Sequence, residues 1–247
     1  MTDAWIEVAE LKSRLSTFFQ ANKSELSKFG NTVNQTFEAF VFAQVVAWFR
    51  ARSEWTVEVI NPTDKSGKET FRLKFSTRGR PAGYSYVRCT SKGMILQIRH
   101  QLRVATKYHR NDHGPAANIC LDVAVIEDVD LSEFDTNDFV QNSKLITFGE
   151  AKHMSAFAEL IASFIGLVHE LQPHRLKRVR NKRWKEQPRP HPSPFLFVSG
   201  HLWRTAEGLT RTVIRRKYDV DVYNKAQLLT SSFGLPTATG KPNKAPL

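Results

Sequence analysis

Lys144-Leu145-Ile146-Thr147-Phe148-Gly149-Glu150-Ala151-Lys152 is the stretch on which the reading of this chain turns. It has the pattern of a short strand that ends in Glu-Ala-Lys. Residues two apart in a strand share a face, so Glu150 and Lys152 point the same way across the small Ala151. Upstream, Asn118-Ile119-Cys120-Leu121-Asp122-Val123-Ala124-Val125-Ile126-Glu127 is a second apolar strand. Asp122 stands in it where a hydrophobic residue is expected. Charges are rarely buried unless they are paired or bind a metal. If the two strands are neighbours, Asp122, Glu150 and Lys152 meet as a divalent-metal site with a lysine beside it. A plain salt bridge is the alternative.

Working outward, Trp5, Val8, Leu11, Leu15, Phe18 and Phe19 recur at three- and four-residue spacing and predict an amphipathic helix over 4–20. A second helix is expected from Thr32. Thr32-Val33-Asn34-Gln35 fits a capping box, and Phe37, Phe40, Val41, Gln44, Val45 and Trp48 follow on one face. Glu38 lies close to that face, as a solvated flank residue or a functional one. From residue 53 the period becomes two. Thr56–Ile60, Thr70–Ser76, Tyr84–Arg88 and Met94–Val104 read as strands, the last carrying Arg99, His100 and Arg103. A basic face on such strands suits either a nucleic-acid groove or an ordinary wet face.

After Glu150-Ala151-Lys152 a helix is expected from Ser155 to Leu171, stopped by Pro173. Phe195–Ser199 reads as a buried strand, 205–217 as a helix and Val220–Tyr223 as a short last strand. Between them, His174 to His191 is the most basic stretch. Arg175, Lys177, Arg178, Arg180, Lys182, Arg183 and Lys185 are read there as contacts to nucleic-acid phosphates. A solvated segment is the alternative.

The expected class is α/β, a mixed central sheet flanked by helices. Its divisions are an N-terminal helical segment over 1–30, one domain over 31–233 and a disordered tail over 234–247. A formal net charge of +12 favours a polyanionic partner, nucleic acid first. Two cysteines argue against a disulfide framework or a cysteine-rich zinc site, and Cys120 is read as a small core residue. His109, Asp112 and His113 lie on a loop with no further histidine or cysteine, so no metal is assigned to them. The N-terminus lacks the pattern of a signal peptide, and no apolar run is long enough to span a bilayer. A cytoplasmic protein that does not enter membranes is expected. No serine, cysteine or histidine triad signature and no phosphate-cradling glycine loop appears.

The order of elements, Asp122 after the apolar Leu121, and Glu150-Ala151-Lys152 closing the next strand resemble the PD-(D/E)XK, or restriction-endonuclease-like, nuclease superfamily over about residues 32–200. No proline precedes Asp122, the linker between the motif strands is long, and the basic insertion is not part of the common core. The resemblance implies a restriction-endonuclease-like core carrying extra antiparallel strands. It implies that Asp122, Glu150 and the carbonyl of Ala151 bind Mg²⁺ or Mn²⁺. Lys152 would orient the attacking water and offset phosphate charge, and Glu38 would add a ligand or position a water. The implied activity is phosphodiester hydrolysis, of DNA more readily than RNA. Endonuclease effectors of cyclic-oligonucleotide defence systems show a similar pattern, which implies a phage-defence role and a homo-oligomer with the N-terminal helix as an interface; a restriction or repair nuclease, or a ribonuclease on the same scaffold, is the alternative. A binding module that keeps the three residues as an ion-pair cluster is the competing class.

Overall fold

The computed structural model describes residues 33–64, 66–109, 116–177 and 190–224, with Ala9, Lys12, Ser13 and Leu15. Helix α1 (Val33–Arg50) carries so many apolar residues that it is buried on nearly every side, Phe42, Ala43, Val46 and Phe49 included. A single apolar face is therefore a correction to make: the helix lies between the sheet and a cover. Leu15, helical and fully buried, is part of the same apolar cluster. Thr32 of the expected capping box and the tail over 234–247 lie outside the described residues.

Seven strands form one mixed sheet in sequence order: β1 (Thr56–Ile60), β2 (Tyr86–Ser91), β3 (Met94–Ala105), β4 (Asn118–Glu127), β5 (Leu145–Lys152), β6 (Phe195–Val198) and β7 (Asp221–Tyr223). β1 to β5 pair antiparallel, and β5, β6 and β7 pair parallel. Parallel neighbours need crossovers. Helix α2 (Ala158–Leu171) supplies the first and helix α3 (Arg204–Arg216) the second. One apolar layer joins α1 to the sheet. The other joins Phe164, Val168 and Leu171 of α2 and Ala206 and Val213 of α3 to its opposite face. The protein is thus α/β, with helices on both faces. Gly149 of β5 is fixed by packing, since a Cβ there would stand 2.1 Å from the Phe195 ring. No helix among the described residues is long and apolar enough to cross a membrane.

Thr70–Ser76 is not a strand. Phe71 and Leu73 are buried as the alternation requires, but the backbone hydrogen bonds leave the ladder. Arg72 N–H donates to Ser85 Oγ at 2.8 Å, Arg72 C=O accepts from Ser85 N–H at 2.7 Å, and Lys74 C=O accepts from His100 Nδ1. Lys74, which alternates with Phe71, Leu73 and Phe75, is buried as well. The basic face of β3 is also corrected. Arg99 and His100 are buried, and Arg99 donates to Gln97 Oε1 and Pro81 O while lying over the Tyr86 ring.

Candidate active site

The β4–β5 ladder runs to Val123↔Gly149 and stops one residue short of Asp122 and Glu150. Beyond it, the Asp122 side chain takes the place of backbone pairing. Its Oδ2 accepts from Ala151 N–H at 2.9 Å and from Lys152 Nζ at 3.0 Å. Lys152 Nζ also donates to Glu150 Oε2 at 2.8 Å. Asp122, Glu150 and Lys152 therefore meet as the alternation predicts. Both carboxylates are mostly buried, whereas Lys152 reaches the edge with 37% of its side chain exposed.

Glu38 comes from the first turns of α1 and is joined to this group by a residue that sequence reasoning missed. Gln101 Nε2 donates to Asp122 Oδ1 at 3.0 Å and to Glu38 Oε2 at 3.1 Å. Cys120 Sγ–H donates to Gln101 Oε1 at 3.3 Å, so Cys120 lines the site instead of filling the core. Gln101 has φ 53°, a left-handed conformation that costs a residue with a Cβ about 1 kcal/mol. The cost has a visible return. His100↔Val123 and Leu102↔Leu121 are paired on either side of Gln101 and Asp122, and the pleat reverses there. Ile98 and Val123 face the α1 layer, whereas Leu102 and Leu121 face the α2–α3 layer. The reversal sets Gln101 and Asp122 side by side at the sheet opening.

Burial pushes the Glu38 carboxyl up from 4.5 to about 7, and the Asp122 charge adds to it. Burial and then Asp122 likewise raise Glu150 above the ordinary carboxylate range. For Lys152 burial works the other way, but Glu150 and Asp122 outweigh it and hold the ammonium charged beyond the usual lysine range. Burial depresses His100 to about 4, so it is neutral. Its Nδ1–H donates to Lys74 O, which turns Nε2 toward Glu38 Oε2 at 3.5 Å. Three carboxylates and one ammonium leave the site with an excess of buried negative charge.

That excess has a measurable sign. A raised carboxyl value stabilises the fold below about pH 4.5, and the stabilisation is lost as pH rises through about 7. His100 acts oppositely below about pH 6.5 and is present in both proteins, so most of its contribution cancels in the difference between them. Glu38→Gln should gain stability relative to the parent between about pH 5 and pH 7.5 in the absence of divalent metal. Denaturant unfolding at both pH values measures the gap. A gap that stays constant or narrows contradicts the buried-charge account.

Among the described residues, no three His, Cys, Asp or Glu side chains converge as ready metal ligands. The donors present are two carboxylates and the Ala151 backbone, and the Lys152 ammonium lies between the carboxylates. Hard oxygens and uncompensated negative charge fit Mg²⁺ or Mn²⁺, which keep several waters and need few protein ligands.

The basic segment divides. Arg175 is engaged within the fold, its Nη1 donating to Asp219 Oδ2 and its Nη2 to Ile146 O. Lys177 is exposed, and Arg178, Arg180, Lys182, Arg183 and Lys185 lie outside the described residues. His109 Nδ1 accepts from Ala117 N–H, while Asp112 and His113 lie outside the described residues. Comparison with family models, with curated proteins and with solved structures finds no match for this chain.

Proposed function

We propose that the chain is a metal-dependent endonuclease of PD-(D/E)XK type that hydrolyses phosphodiester bonds of DNA. The observation that carries this reading is the meeting of Asp122 and Glu150 on one lysine, Lys152, with Glu38 tied to Asp122 through Gln101. Asp122, Glu150 and the Ala151 carbonyl would hold Mg²⁺ or Mn²⁺. A divalent cation there supplies Lewis-acid chemistry, making water more acidic and stabilising charge on the phosphate. Lys152, at the solvent edge, donates to the attacking water or a phosphate oxygen. Gln101 keeps the Glu38 and Asp122 carboxylates in fixed relation, and Glu38 would add a ligand or position a water. The net charge of +12 supports a polyanionic substrate. A role in antiviral defence as a homo-oligomer rests on the likeness of motif pattern alone.

One observation favours a second reading. The Lys152 ammonium already contacts both carboxylates, as it would in a structural ion-pair cluster of a non-catalytic nucleic-acid-binding module. Incubation of the purified protein with plasmid DNA and with RNA, each with Mg²⁺, Mn²⁺ or EDTA, separates the readings. Metal-dependent nicking or linearisation of DNA is the expected result. Cleavage of RNA alone makes it a ribonuclease. Salt-sensitive binding with no cleavage under any metal supports the module.

A further inference from the structure

Past Lys152 the chain builds a second feature at the end of the sheet where β5 and β6 stop. Residues 152–156 and 199–203 continue β5 and β6 as a parallel pair beyond their named ends. Ser199 N–H donates to Lys152 O, Gly200 N–H to Met154 O, Ala156 N–H to His201 O and Trp203 N–H to Ala156 O. The approach is so close at Gly200 that a Cβ would stand 2.4 Å from Ser155 Oγ. The pair ends in two aromatic residues, Phe157 and Trp203. Their rings stack with centroids 5.8 Å apart and 13° between planes. The His201 ring packs against the Trp203 ring at 4.5 Å, and Ser155 Oγ lies 3.2 Å from His201 Nδ1, which fixes the arrangement. Phe157 is nevertheless 49% exposed and Trp203 44%.

Both residues are helix N-caps, Phe157 of α2 and Trp203 of α3, and both have the extended backbone of a cap. That position favours Ser, Thr, Asp or Asn, whose oxygen accepts from the first turn. Neither ring can do so. The helix dipoles are answered by Glu159 and Glu207 in the two first turns, so the helix ends are not anion sites. What the chain presents here is the rings. Two local stabilising choices are forgone to hold a stacked aromatic pair in water, with exposed Arg204 beside it and Lys152 a few residues away.

We propose that Phe157 and Trp203 form a stacking platform for an unpaired nucleobase, so that the nucleic acid taken by the candidate site carries unpaired nucleotides near the phosphate that is cut. The location of the cut rests on the nuclease reading; the binding does not. An aromatic face accepts any base, and the charge of the chain favours the phosphates that come with it.

The experiment reads binding without metal or cleavage. Fluorescein-labelled single-stranded 20-mers and the same sequence as a blunt duplex are titrated in EDTA by anisotropy, at two salt concentrations. The parent should prefer the single strand. Trp203→Ser and Phe157→Ser should each bind it about tenfold more weakly, with the duplex little changed. The salt slope should stay, since no phosphate contact is removed. Trp203→Phe, which keeps a ring, should restore most of the affinity. Serine adds a cap but gives up the ring contacts, so each serine variant should melt within a few degrees of the parent, which separates lost binding from lost fold. Unchanged affinity for the single strand, or equal loss on single strand and duplex, overturns the proposal. So does a serine variant that converts an oligomer to a smaller species by light scattering, because the rings then belong to a protein interface. A parent that never cleaves yet shows the ring-dependent preference sinks the nuclease reading and leaves the platform standing.

Discussion

Lys152→Ala should lower metal-dependent cleavage by about a hundredfold to a thousandfold while leaving affinity for nucleic acid intact. The ammonium lies 3.0 Å from Asp122 and 2.8 Å from Glu150, and it is the most exposed member of the trio. It is therefore the group placed to meet a phosphate oxygen or the water that attacks it. Its loss removes a donor aimed at developing charge, so the rate falls in the chemical step and not in binding. Lys152 closes β5 and is more than a third exposed, so truncation opens no cavity in the core. Arginine should not rescue, because a planar guanidinium is larger and cannot place a point charge between two carboxylates. Cleavage of plasmid DNA by parent, Lys152→Ala, Lys152→Arg and Asp122→Ala measures this. Full activity in both Lys152→Ala and Asp122→Ala would place the active site elsewhere.

The part of this site that could be read in the sequence is the part that obeys simple alternation. Glu150 and Lys152 share a face of a regular strand, and an Asp amid Leu121, Val123 and Val125 is conspicuous. Their meeting needed only that the two strands be neighbours. Gln101 could not be read. Leu96, Ile98, His100, Leu102 and Val104 look like one unbroken alternation, but the first two face α1 and the last two face α2 and α3. The reversal is made by a positive φ at Gln101, which no residue type announces. His100 was hidden for a related reason: a polar residue on a strand suggests a groove or a wet face, yet this one is buried, with Nδ1–H donating to the Lys74 carbonyl. Thr70–Ser76 failed because alternation reports burial and not pairing. Phe157 has the spacing of an inward-facing residue on the helix expected from Ser155, yet it is exposed, because the helix starts one residue later and Phe157 stands at its cap.

The second large effect separates a metal site from an ion-pair cluster by melting temperature alone. Divalent metal that binds only the folded state raises the melting temperature by mass action, by about 2.7 kcal/mol of stability at a hundredfold excess over Kd. Glu150→Gln removes a charge that burial and Asp122 both disfavour, and its amide oxygen can still accept from Lys152. This variant should be as stable as the parent or more so without metal, and should gain little from Mg²⁺, Mn²⁺ or Ca²⁺. Asp122→Asn should behave differently, although the sequence alone makes it look equally harmless. Gln101 Nε2 donates to one oxygen, and Ala151 N–H and Lys152 Nζ donate to the other. An amide offers one oxygen and must turn its NH₂ toward a donor, at a cost of about 1–3 kcal/mol. Asp122→Asn should therefore melt below the parent and also lose the metal response. Lys152→Ala removes a cation and no ligand, so its metal response should persist or grow. A structural cluster gives the reverse pattern: Glu150→Gln and Lys152→Ala both destabilised, and the parent unmoved by metal. Melts of the four proteins with and without metal decide between them, and a parent whose melting temperature ignores all three cations ends the metal-site reading even before a substrate is found.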